Sequence, residues 1–149
     1  MKLFPLLAHV FVGFSVHGFI WNQEVLMKQE IAKEDFSRLD VLHHLSAGFK
    51  SLISQISNDG LFTLRQAVGG AGFSSWSGIP GMIDIHSPIV TFEGDNTMLM
   101  QQAAKYIMKC HKKVKSGQKL GEIFEYFNNL PNLKVLKCKA DNAEHFLNV

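Results

Sequence analysis

The chain of 149 residues has few cysteines and little net charge. Cys110 and Cys138 stand outside any CxxC or paired Cys/His spacing, which argues against a disulfide scaffold and gives no support for a zinc site. We therefore expect two free thiols, a reducing compartment and no metal site. The formal net charge of +2 is too small an excess of Lys and Arg to predict nucleic-acid binding. No internal repeat is visible.

Apolar residues, by contrast, are abundant. They make up 46% of the chain and include 12 phenylalanines, so a disordered polypeptide is excluded. The length suits a single domain with a core of its own.

An apolar run from Leu3 to Ile20 follows Lys2. By composition it fits a secretory signal, a membrane helix or a core helix. Pro5, His9 and His17 interrupt the run, and no small-residue cleavage pattern follows it. We expect a helix buried in the protein early and more solvated later, with membrane anchoring through residues 3 to 20 as the alternative.

Apolar residues recur at three- and four-residue steps from Leu39 to Ile56 and again from Leu61 to Val68, and with the other helical segments this predicts an all-α fold. Asn58, Asp59 and Gly60 interrupt the second helix without ending it, because the helical spacing resumes at Leu61. Asp95 or Asn96 is expected to cap the third helix. The predicted helices cover 4–33, 39–68, 97–114 and 119–128, with a turn at 33–38.

The segment from Gly69 to Asn96 is rich in Gly, Ser and Pro and has little periodicity. It predicts a long loop, and loops of this length in compact domains are usually functional or disordered. The Phe, Trp and Ile content favours a functional loop.

We expect the histidines to have structural or surface roles. His43 and His44 are adjacent on a helix and point about 100° apart, so they cannot chelate one metal in the usual i,i+4 way. His86 is expected to be a loop histidine with its hydrogen bonds satisfied, the alternative being a residue that lines a ligand pocket.

Two motifs carry the chemistry. The first is Arg65-Gln66-x-x-Gly-Gly-x-Gly, in which residues without Cβ let the main chain approach a phosphate. Alone, it is more often a helix C-cap and turn. The second, Thr-Phe-Glu-Gly-Asp-Asn-Thr over 91–97, places the carboxylate of Glu93 just before a helix. Alone, Glu93 is more often an exposed loop residue.

Together, and at this distance from each other, the motifs resemble the flavin-contacting loop and catalytic-base segment of the acyl-CoA oxidases. Ser77-Gly78-Ile79-Pro80 fits the oxidases better than the related dehydrogenases. The resemblance runs from Lys2 to about Pro131 and covers the C-terminal helical domain only. It implies an oxidase-like helical domain over 1–131 and a short tail over 132–149.

The resemblance also implies site roles. Glu93 would be the base that removes the α proton of an acyl-CoA, its backbone N–H would polarise the thioester carbonyl, and Gly94 would lie beside the substrate. The family's glycine element reaches across a dimer to the FAD of the neighbouring subunit. FAD-binding residues would be Arg65, Gln66, Gly69, Gly70, Gly72, Asp95 and Thr97. Two positions depart from the family, because Ala71 replaces a common His and Phe73 a usual Tyr.

Three hypotheses follow. The first is a part of an FAD-dependent acyl-CoA oxidase that yields trans-2-enoyl-CoA and reduces O2 to H2O2. It would act as a homodimer or with the remaining oxidase domains on another chain. The second is a catalytically silent structural subunit of a larger assembly. The third is a membrane-anchored helical protein in which both motifs are coincidental.

Localisation is implied by the family alone, whose oxidases are peroxisomal. The chain ends in Asn148-Val149 rather than a Ser-Lys-Leu type of address, so mitochondria stay open as the alternative.

Overall fold

The computed structural model describes residues 2–132, and these contain helices and no strand. The expected all-α class is therefore confirmed. Within residues 2–132 four α-helices form the framework, and a 3₁₀ segment follows the last one. Their bounds are α1 Leu3–Ile31, α2 Leu39–Ala67, α3 Ile79–His86 and α4 Asn96–Lys115, with the 3₁₀ segment at Glu122–Asn132.

Helices α1 and α2 form an antiparallel hairpin in which glycines set the spacing. A Cβ on Gly60 would lie 3.1 Å from Leu6, and one on Gly13 would lie 3.1 Å from Ile53. Helix α2 runs unbroken through Gly60, as predicted, because this glycine is buried where α1 crosses it.

A polar cluster fixes the corner of the hairpin. Arg38 donates from Nε and Nη2 to the carboxylate of Glu30, at 2.8–3.0 Å. Its Nη1 donates to Oε1 of buried Gln23 at 2.7 Å. The planar guanidinium suits this forked contact, which joins the end of α1 to the start of α2.

The expectation that α1 is buried early is wrong. Phe4, Phe11 and Phe14 are each 74% exposed, and Gln23 is the residue of α1 that is buried. An all-round apolar helix needs neighbours on several sides, and in the described part of the chain α1 packs chiefly against α2. By length and composition α1 would also suffice to cross a membrane.

The expected long loop over 69–96 is wrong as well. The segment folds into short helical pieces, namely 3₁₀ turns at Gly69–Phe73, Ser75–Ser77 and Ser87–Val90 around α3. Pro80 stands in the first turn of α3, and Gly78 before it has φ 74°. Such short pieces carry little periodicity, so the sequence pattern could not separate them from a loop.

The first part of α4 packs closely on α2. A Cβ on Gly48 would lie 3.7 Å from the Cβ of Ala103. Nδ1 of His44 lies 3.0 Å from the carbonyl oxygen of Ala103, and the imidazole stacks on Tyr106 with ring centroids 5.0 Å apart. His44 thus has the structural role expected for it.

The chain divides into two compact units, Met1–Tyr106 and Ile107–Val149. The second contains buried, free Cys110. The helix expected over 119–128 is instead a 3₁₀ helix that begins at Glu122. The Asn128 side chain accepts a hydrogen bond from the N–H of Leu120 and donates one to its carbonyl oxygen. The 1–131 domain assignment stays a prediction. The expected tail, apart from Asn132, and the thiol of Cys138 lie outside the described residues.

Candidate active site

Glu93 lies on a bend between the 3₁₀ turn at Ser87–Val90 and the start of α4. Its φ is 56°, and that of Gly94 is 104°, so two successive residues have left-handed backbone. For a residue with a side chain this conformation costs about 1–2 kcal/mol. The Glu93 side chain is exposed. The bend therefore presents a carboxylate outward at a backbone geometry that the surroundings must maintain.

Gly94 is required at its position for two reasons. Its φ disfavours other residues, and a Cβ there would lie 3.0 Å from Leu99. Its carbonyl oxygen accepts a hydrogen bond from Nζ of Lys50 at 2.6 Å. The bend is thus tied to the middle of α2.

Asp95 caps α4. Its Oδ1 accepts from the backbone N–H groups of Thr97 and Met98, at 2.9 and 3.3 Å. This is the ordinary N-cap geometry, so of the two residues expected to cap α4, Asp95 is the one. Thr97 is exposed in the first turn. Contacts of Asp95 and Thr97 with FAD stay predictions.

The three motif glycines have different surroundings. Gly69 has φ 63°, and a Cβ on either Gly69 or Gly70 would meet nothing within 4 Å. Gly72 is buried, and its Cβ would lie 2.3 Å from the carbonyl oxygen of Arg65. Gly69 and Gly70 therefore leave open space for a ligand, whereas Gly72 lets the glycine bend, the segment Gly69–Phe73, pack against the end of α2.

Arg65 lies between two aromatic rings at the end of α2. Its guanidinium carbon is 4.5 Å from the ring centroid of Phe73 and 5.4 Å from that of Phe62. Its Nε is buried without a hydrogen-bond partner. Gln66, the next residue, is exposed.

These features fit an anionic ligand at the glycine bend. The positive charge of Arg65 and two open glycine positions provide what a phosphate needs, positive charge and close access to backbone N–H groups. The described residues provide no group of three or more His, Cys, Asp or Glu side chains that could hold a metal ion.

The structure does not gather the predicted residues at one point. Gly94 is tied to α2 at Lys50, whereas the glycine bend packs at Arg65, about 22 Å further along the helix at 1.5 Å per residue. Glu93 and the glycine bend would therefore contact different parts of one long ligand, or different ligands.

Two features escaped the sequence reasoning. Lys50 lies 44 residues from Gly94, and no local pattern indicates that contact. The expectation that His86 is satisfied is wrong, because its Nε2 is buried without a hydrogen-bond partner. His86 ends α3 and lines an apolar cavity of about 220 Å³ that also contains Leu6 and His9 on its walls.

Comparison with known proteins decides the family. The family model described as acyl-CoA oxidase, C-alpha1 domain, matches residues 1–108. The chain belongs to the acyl-CoA oxidase family. This is the family that the two motifs predicted, so the hypothesis that treats the motifs as coincidences is wrong.

Individual relatives agree with this assignment. Peroxisomal acyl-coenzyme A oxidase 1 of Rattus norvegicus is 37% identical over 134 residues, which cover 90% of this chain and 20% of the relative. The Arabidopsis thaliana enzyme of the same name is 31% identical over 99% of this chain and 22% of the relative. Both are named as peroxisomal enzymes, so the expected peroxisomal localisation is confirmed.

Solved structures give the same fold. Arabidopsis thaliana acyl-CoA oxidase 1 superposes with a TM-score of 0.90 at 30% identity, over 99% of this chain and 22% of that one. An acyl-CoA oxidase from Lycopersicon esculentum (tomato) gives a TM-score of 0.87 at 32% identity, over 98% and 22%. The chain thus spans about a fifth of the length of the relatives that it matches.

Proposed function

We propose that this chain is the base-carrying helical part of an FAD-dependent acyl-CoA oxidase that converts acyl-CoA to trans-2-enoyl-CoA and reduces O2 to H2O2. The observation that supports this most is the bend at Glu93, where two left-handed residues present an exposed carboxylate ahead of α4. Because the chain belongs to the acyl-CoA oxidase family, we assign to this carboxylate the role of the base in the oxidase reaction.

In this reaction Glu93 accepts the α proton of the acyl thioester. The electron pair of the broken α C–H bond forms the double bond as the β hydrogen leaves as hydride. When bound, FAD would supply the acceptor for that hydride, and O2 would reoxidise the reduced flavin and itself be reduced to hydrogen peroxide. The N–H of Glu93 donates to the thioester carbonyl and stabilises the charge that develops there, with Gly94 beside the substrate.

The glycine bend is the FAD-contacting element. The positive charge of Arg65 suits the pyrophosphate. Gly69 and Gly70 leave space for the ligand to approach the main chain, and Gly72 keeps the bend against α2. Gln66, Asp95 and Thr97 complete the proposed FAD-binding set.

The rest of the active site comes from elsewhere in the enzyme, through a homodimer or through oxidase domains beyond this chain. The exposed face of α1 supports this proposal. Phe4, Phe11 and Phe14 would be costly in water, and a full-length oxidase has about four-fifths of its mass available to cover them.

The test is to purify the chain in its native assembly and to record the visible spectrum. We expect flavin absorbance that an acyl-CoA bleaches without oxygen and that oxygen restores, with one H2O2 released per enoyl-CoA formed. A native assembly without flavin would contradict the proposal and favour the silent structural subunit.

A further inference from the structure

The bend at Glu93 needs an external support. Both Glu93 and Gly94 have left-handed backbone, with φ of 56° and 104°. A residue with a side chain keeps such a conformation only where its surroundings hold it. Asp95 caps α4 and so fixes the chain on the far side of the bend, but its cap leaves the carbonyl of Gly94 unused.

Lys50 supplies the missing contact. Its Nζ lies 2.6 Å from the carbonyl oxygen of Gly94 and 3.0 Å from Oδ1 of Asn96. One ammonium group therefore joins the bend to the first residue of α4. Hydrogen bonds from a charged donor are roughly twice as strong as neutral ones, which suits a support for a strained turn.

Asn96 ties this contact to the interior of α2. Its Nδ2 donates to the carbonyl oxygen of Ser51 at 3.1 Å and to Oγ of Ser54 at 2.9 Å. Ser51 and Ser54 are buried, at 2% and 3% exposure. The support of the bend is thus anchored in the most buried part of the helix rather than on a mobile surface side chain.

We propose that Lys50 is a positioning residue for Glu93, which with Asn96 holds the carboxylate and the N–H of the base in place. This inference rests on the proposed function, since it assigns Glu93 as the base. Lys50 contacts no reacting atom in this proposal and acts through the Gly94 carbonyl.

Proteolysis of the chain without flavin tests whether Lys50 holds the bend at Glu93 in place. A Glu-specific endoprotease cleaves after Glu93 only when the bend opens, and exposed Glu34, with φ 61°, provides a matched site in the same chain. In Lys50→Met we expect cleavage after Glu93 to be about tenfold faster and cleavage after Glu34 to be unchanged. Lys28→Met is the control, because Lys28 pairs with Glu24 on exposed α1.

Equal acceleration at both glutamates would mean that Lys50→Met has destabilised the whole fold. Lys50→Arg, which keeps the charge and the donors, then decides, and we expect it to protect the bend more than Lys50→Gln does. Unchanged cleavage after Glu93 in the folded variants would overturn the proposal.

Flavin reduction in the assembled oxidase tests whether Lys50 positions Glu93 for catalysis. Because small misplacements of a reacting group are costly, Lys50→Met should slow reduction by saturating acyl-CoA about tenfold or more, with flavin content unchanged. Lys50→Arg should recover most of the rate. An unchanged rate in a variant with an opened bend would overturn the positioning role. If Glu93→Gln also leaves the rate unchanged, the proposed function itself has failed.

Discussion

The guanidinium carbon of Arg65 lies 4.5 Å from the ring centroid of Phe73, so the glycine bend folds back over the end of α2. Phe73 is itself 70% exposed, which means that the ring covers the arginine rather than filling a core. Phe73 thus offers Arg65 an aromatic face and has no hydroxyl. This contact connects the arginine that begins the motif with the residue that follows its last glycine.

Phe73→Leu should weaken flavin binding by the assembled oxidase. A cation–π contact at an exposed site is worth about 0.5–1 kcal/mol, which corresponds to a rise in the dissociation constant of about two- to fivefold. Fluorescence titration of the apo assembly with FAD measures this change. Trp76→Leu is the control, since Trp76 is 80% exposed on the neighbouring turn. Equal effects of the two variants would contradict a specific role of the Phe73 ring.

Gly72→Ala and Gly70→Ala should separate packing from ligand access. The Cβ of alanine at 72 would lie 2.3 Å from the Arg65 carbonyl oxygen, so we expect the free energy of unfolding to fall by about 1–3 kcal/mol. Gly70→Ala meets nothing within 4 Å and should leave stability unchanged while it weakens FAD binding. Urea denaturation and FAD titration measure the two quantities. Equal stability of both variants would refute the packing role of Gly72.

Asp95→Ala should destabilise the start of α4. Removal of the cap leaves the N–H groups of Thr97 and Met98 without their acceptor, at a cost of about 1 kcal/mol. Asp95→Asn retains an acceptor and should lose less. Urea denaturation of the three chains gives the order, and an alanine variant as stable as the parent would show that the cap contributes nothing.

Stability should fall as the pH falls through the range below 6.5, and His44 should account for part of the loss. Burial lowers the pKa of His44 below its ordinary 6.5; the nearby His43 lowers it further, and the hydrogen bond to Ala103 partly opposes the shift. The unfolded chain therefore binds the proton more readily, so the stabilisation is complete above pH 6.5 and is lost at lower pH.

Urea denaturation at several pH values measures this effect. His44→Gln should flatten the dependence of the unfolding free energy on pH, whereas His111→Gln, at an exposed position, should not. An unchanged slope in His44→Gln would show that His44 does not contribute to the pH dependence of stability.

Helical periodicity predicted α1, α2 and α4 to within about two residues, because long helices repeat the pattern many times. It failed for α3 and the 3₁₀ turns between Gly69 and Val90, which are too short to show a period. It also assigned α1 to the core, since an apolar sequence indicates that a helix is covered but not which part of the protein covers it.

The candidate site was predicted only in part. The cap at Asp95 follows from local sequence, and the structure has it. The contact of Lys50 with Gly94 depends on which helices meet, and that of Arg65 with Phe73 depends on how the chain folds back after α2, so the local sequence pattern indicates neither contact. The roles of Glu93 and the FAD-binding residues stay predictions.

The most direct test of the base assignment is the rate at which an acyl-CoA bleaches the flavin of the assembled oxidase in the absence of oxygen. This rate is compared between the parent protein and the Glu93→Gln variant. General-base catalysis contributes about 10²–10⁴-fold, so the variant should keep its flavin and lose at least about a hundredfold in rate. A flavin-loaded Glu93→Gln variant that is bleached at the parent rate would contradict the assignment of Glu93 as the base.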